Sequence, residues 1–196
     1  MKRSIPLAAV GLATALAAPG AAAVEIDHEG PVRALVENGL RAQVTTEAIL
    51  AAVRVQNAKH AGLGQADIDA MDAQWRAEVE SGGGPLTESV LGAATSEQLR
   101  AVQAAHQGMV TELFVMDDRG LVVGESDLTS DYWQGDESKW KKTYGDGAEA
   151  IFVDEVEMDE STQTLQSQVS FTLVDPATGE AVGAVTAGVN VEMLFQ

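Results

Sequence analysis

Leu165-Gln166-Ser167-Gln168-Val169-Ser170-Phe171-Thr172-Leu173 is the stretch that decides the fold. Leu165, Ser167, Val169, Phe171 and Leu173 alternate with Gln166, Gln168, Ser170 and Thr172. A period of two is that of a β-strand with one apolar and one polar face. On its C-terminal side Asp175-Pro176-Ala177-Thr178-Gly179 has turn chemistry. Ala181 to Val191 then forms a small-residue strand rich in valine and glycine, so the two strands make a hairpin. On the N-terminal side Ile151 to Met158 has strand character, followed by the turn cluster Asp159-Glu160-Ser161-Thr162. Further upstream, Leu113–Met116 and Leu121–Gly124 flank Asp117-Asp118-Arg119-Gly120, a tight hairpin. About five strands result, joined by short connections with one exception.

The exception is residues 125–149, which lack strand periodicity. Connections longer than about 12–15 residues are usually functional or disordered. This one carries both tyrosines, Tyr132 and Tyr144, two of the three tryptophans, Trp133 and Trp140, and three of the four bases after residue 110, among them Lys139. Amphipathic aromatics and a lysine held against a sheet can enclose a small polar molecule, with Gln166, Gln168 and Ser170 donating and accepting hydrogen bonds from the strand. A helical cover over the core, above a solvated strand face, is the plainer alternative.

The front half is helical. His28-Glu29-Gly30-Pro31 is a helix start. Val32, Leu35, Val36, Leu40, Val44, Ile49, Leu50 and Val53 then recur at three- to five-residue steps, predicting an amphipathic helix to about Ala58 with a kink near Thr45-Thr46. A second helix is predicted from Gln65 to Val79, with Ile68, Met71, Trp75 and Val79 as its core stripe. Ser81-Gly82-Gly83-Gly84-Pro85 breaks it, and a short helical turn follows through Val90. Thr95 and Gln98 have capping-box spacing for a third helix through about His106. His28, His60 and His106 are scattered, without metal-ligand spacing, and read as surface or boundary residues.

The chain has 196 residues, 30 acids against 12 bases and a formal charge of −18. Such a charge repels phosphate backbones and anionic lipid, so nucleic acid is excluded as a partner. The absence of cysteine removes disulfides, thiol catalysis and cysteine metal sites. Lys2 and Arg3, the uncharged run Ile5–Ala18, the break Pro19-Gly20 and the small residues Ala21-Ala22-Ala23 form a secretory signal pattern over residues 1–23. A retained anchor is the competing reading. Cleavage implies a periplasmic protein with no transmembrane segment.

The F-V-M-D-D-R-G-L-V-V hairpin of residues 114–123, D-E-S-K-W at 136–140, the strand and turn F-V-D-E-V-E-M-D-E-S-T at 152–162, and V-S-F-T-L-V-D-P-A-T-G-E-A-V-G-A-V-T-A-G-V at 169–189 resemble, in order and spacing, a Cache domain, the PAS-like extracytoplasmic sensor module of bacterial receptors. The resemblance covers residues 111–192 well and the first helix weakly. It implies an α+β fold: a long N-terminal helix and further helices on an antiparallel five- to six-stranded PAS-like sheet. The corresponding organisation is a leader (1–23), a helical stem with the N-terminal helices of the domain (24–110), and a Cache-like sheet (111–196) carrying the ligand loop 125–149. In amino-acid-binding relatives with two such modules, an arginine and a tryptophan clamp the ligand carboxylate and a later aspartate holds the amino group. Lys139 and Trp140 stand at the first two positions, and Asn190 is nearest the third. The resemblance therefore implies a small carboxylate or other polar metabolite as ligand, without a cofactor, and a membrane receptor or kinase as downstream partner.

Other classes carry less. Asp131 with Asp136 or Glu137 is an acid pair of the kind an enzyme uses, but Gly-x-Ser-x-Gly, HExxH and phosphate-loop motifs are missing, so no enzyme is expected. Calcium could use Asp127, Asp131, Asp136 and Glu137, or Asp154, Glu155, Glu157, Asp159 and Glu160, though without an EF-hand pattern. A structural or protein-interaction module could form a homodimer through Leu35, Val36, Leu40 and Val44 of the first helix.

Overall fold

The computed structural model of the chain describes residues 27–159 and 163–196. The leader expected at residues 1–23, and Glu160, Ser161 and Thr162 of the turn cluster, lie outside the described residues. Among the described residues five strands form one antiparallel sheet: β1 (Val110–Met116), β2 (Val122–Glu125), β3 (Ile151–Asp159), β4 (Thr164–Val174) and β5 (Ala181–Asn190), in the order β2-β1-β5-β4-β3. With helices packed on it, the fold is α+β. The alternation of residues 165–173 sorts the faces of β4 as expected. Val169, Phe171 and Leu173 join Leu113, Val115, Val185, Ala187 and Val189 in the main core, and Gln166, Gln168 and Ser170 point the other way.

The first helical segment covers that core. It comprises α1 (Glu29–Leu35), a wide π turn (Val36–Leu40) and α2 (Arg41–Val44); it breaks at Thr45 (φ −100°, ψ 44°) and resumes as α3 (Glu47–His60). Thr46 caps α3 by accepting the Ile49 N–H, which is why the kink falls at the paired threonines. Val36, Leu40 and Val44 are fully buried against their own sheet. Three residues of the expected dimer seam thus lie in the core of their own chain, and the fourth, Leu35, is half-buried against it.

Next come α4 (Gln65–Ser81), α5 (Pro85–Leu91) and α6 (Ala94–Ala105). Trp75 and Ile68 of α4 form a second core with Val90, Leu121, Val122 and Tyr132, so the Met71–Trp75 stripe packs as predicted. The predicted cap of α6 is corrected: the helix starts from Ala93, and Thr95 and Ser96 are buried. The Ser96 hydroxyl donates to the Val90 carbonyl (2.6 Å) and accepts the Glu125 N–H (2.9 Å), tying α5 and α6 to β2. His60 is a second correction. It is 2% exposed, and its Nδ1 lies 2.9 Å from Asp117 Oδ2 in the β1–β2 turn. Among the described residues no helix is long and apolar enough to cross a membrane.

Candidate functional site

The 125–149 crossing divides into two parts that face opposite ways. Its first part returns to the helical side. Asp72 of α4 accepts the backbone N–H groups of Tyr132 (2.9 Å) and Trp133 (3.0 Å) through one carboxylate oxygen, while Arg76 binds the other. Tyr132 stacks on Trp75 with centroids 5.2 Å apart and is 3% exposed; burial pushes its hydroxyl pKa upward. The Trp133 indole N–H donates to the Arg119 carbonyl (2.9 Å), and Trp133 bridges to Leu121 along the open side of β2. Tyr132 and Trp133 thus belong to the second core, away from the polar sheet face where the sequence reading put them. Their backbone amides are fixed by a helix, and their rings follow.

The second part does fold over the polar face. Helix α7 (Ser138–Lys141) and the turn Tyr144–Asp146 lie across β1, β5 and β4. Trp140 and Tyr144 stack (5.1 Å) and cover Phe114, Met116 and Ala184. The Trp140 indole N–H also reaches the Asp117 carbonyl (3.3 Å). These two rings act as a pin, fastening the crossing to the sheet. Ser170 lies beneath, 1% exposed, its hydroxyl 2.8 Å from that of Thr186, and so is part of the interior.

Beside the pin the sheet face is hollow. One recess of about 470 Å³ is bounded by Glu112, Glu137, Lys139, Gln166, Gln168 and the acidic outer strand β3. A second, of about 290 Å³, shares Glu112, Glu137, Lys139 and Gln168 and extends toward Phe114, Thr129 and Gln134. Lys139 lines both. Its ammonium lies 2.9 Å from Glu137 Oε2 and 5.6 Å from the centroid of the Phe114 ring. On the floor, Gln168 Nε2 donates to Glu112 Oε1 (2.6 Å), and Thr111 donates to Gln166 Oε1 (2.6 Å). Burial pushes the Glu112 carboxyl above its ordinary pKa, opposed by the Gln168 hydrogen bond and the Lys139 charge.

No protein-family model and no curated protein matches this chain. Solved structures similar to it are sensor domains. They include the sensory domain of the Campylobacter jejuni chemoreceptor Tlp3, with 13% identity and a TM-score of 0.41, covering 84% of this chain and 64% of that one. The sensor domain of the V. cholerae histidine kinase DctB has 12% identity and a TM-score of 0.38, with coverage of 84% and 60%. The ligand-binding domain of the Pseudomonas aeruginosa amino acid chemoreceptor PctC, solved with GABA, has 14% identity and a TM-score of 0.38, with coverage of 64% and 63%. The chain spans less than two thirds of the length of these structures.

Of the eight residues singled out in the sequence, Lys139, Gln166 and Gln168 line the hollow, Trp140 and Tyr144 fasten its cover, Tyr132 and Ser170 are interior, and Trp133 is half-buried against the second core. Asn190 accepts the Glu192 N–H and closes the final turn, outside the lining of either recess. Glu112, Phe114 and Gln134 were missed. The period of two in β1 places Glu112 beside Phe114 and Met116 on one face, and a charged residue within an apolar strand was the available signal. For calcium, no group of three or more histidine, aspartate or glutamate side chains converges among the described residues.

Proposed function

We propose that the chain is an extracytoplasmic, sensor-type binding protein that takes up a small polar metabolite between its crossing and its sheet and passes occupancy to a membrane receptor or kinase. The N-terminal export pattern supports the location. The observation that carries the reading is the divided hollow over Glu112 and Gln168, roofed by a crossing that Trp140 and Tyr144 fasten at one end. Its volume suits a molecule of metabolite size, and its floor presents several convergent polar groups.

The test is a thermal melt of the purified chain against a panel of amino acids, amines and small carboxylates. A ligand at about one hundred times its Kd stabilises by about 2.7 kcal/mol. For a domain of this size that raises Tm by about 5–10 °C. If no member of a broad panel moves the transition, the molecule is a scaffold and the binding assignment falls.

A further inference from the structure

The charge around the hollows selects the chemistry of the guest. Lys139 is the single base lining either recess among the described residues, and its side chain is only 14% exposed. Its ammonium is held between a carboxylate and an aromatic face, a seat suited to any organic cation. Glu112 floors both recesses, and Glu155 and Glu157 wall the larger one. An anionic ligand would enter against these acids.

A second observation is independent of charge. Gln134 lines the smaller recess and is 2% exposed. Its Nε2 donates to the Asp131 carbonyl (3.0 Å), which fixes the orientation of the amide. Its Oε1 has no partner among the described residues. A buried acceptor without a donor is costly, and an N–H on a guest in that recess would complete it.

We propose that the hollows bind a small aliphatic amine, its ammonium competing with Lys139 for Glu137, Glu112 and the Phe114 face. A diamine is the fullest match, since it offers one cation to Glu137 and one to Glu112, both of which line the two recesses. The inference rests on the binding reading above and deepens it: Lys139 becomes an internal placeholder that the guest displaces.

The test is isothermal titration calorimetry of the full chain with diaminobutane and with succinate at near-physiological salt. Diaminobutane is expected to saturate a single site, while succinate gives no binding heat. Glu112→Gln and Glu137→Gln should each weaken diaminobutane about tenfold, the loss of one charge-assisted hydrogen bond. Lys139→Met should tighten it several-fold, because the competitor is gone. Glu137 sits at the rim, so its variant keeps the comparison open if Glu112→Gln folds poorly. Succinate binding that disappears in Lys139→Met would overturn the amine assignment while leaving the binding reading intact. Diaminobutane binding indifferent to both glutamine variants would mean diffuse attraction to an acidic surface, and would also overturn it. Silence from both probes ends the amine assignment, and silence from the whole metabolite panel ends the binding reading with it.

Discussion

Glu125 ends β2 with no exposed surface. One carboxylate oxygen accepts the Thr129 N–H and hydroxyl; the other has no partner among the described residues. Burial, aided by Asp127 and Glu112, raises its pKa from 4.5 to about 7. The folded state therefore holds a proton that the unfolded state releases between those values. Stability from this group is complete below 4.5, falls as pH rises through about 7, and stays low above it. The difference is at most about 3 kcal/mol. Glu125→Gln should melt several degrees above the parent at about pH 8 and level with it at about pH 4, a contrast that melting curves at the two pH values would check. Trp140→Ala acts on another quantity. It removes the ring that stacks on Tyr144 and covers Phe114, and should cost about 2 kcal/mol in the ligand-free protein, a fall of about 4–8 °C in Tm. An unchanged melt would show that the pin bears no weight. Asp72→Ala would leave the buried Tyr132 N–H unpaired and strip the Trp133 N–H of its acceptor, for about 2–4 kcal/mol by denaturant titration.

At the scale of elements, the crossing depends on the turn before it. Gly120 has φ +82°, and a Cβ there would lie 2.5 Å from the Gly135 nitrogen and 2.6 Å from its Cα. Gly120→Ala should therefore push residues 133–135 off β2 and cost about 3 kcal/mol, with loss of any ligand response; denaturation midpoints alongside the thermal-shift panel would show both. This dependence also explains what the sequence disclosed. The strands and the main helices were legible because periods of two and 3.6 are local signals, and the break at Thr45-Thr46 because a cap is local too. The crossing has no period. Tyr132 and Trp133 turn away from Trp140 because Asp72 and Trp75, about 60 residues earlier, hold them. His60 escaped for the same reason: its partner Asp117 lies in a turn 57 residues on. Thr95 and Gln98 have the spacing of a cap, yet the helix starts from Ala93, and the neighbouring Ser96 is engaged by α5 and β2, contacts that local spacing does not encode.

The whole molecule is a strongly acidic body with a formal charge of −18. Self-repulsion of that size opposes compaction and is screened within about 10 Å at moderate ionic strength. Raising sodium chloride from low to physiological concentration should therefore increase Tm, and a flat or falling Tm would contradict this. Where the acids sit also matters. The sheet has two outer strands, and Trp133 bridges along the one at β2. The other is β3, whose described residues include Asp154, Glu155, Glu157 and Asp159. Two copies meeting there would oppose carboxylate to carboxylate as they tried to register their main chains, so the acids discourage the runaway stacking that an uncovered β margin invites in a crowded compartment.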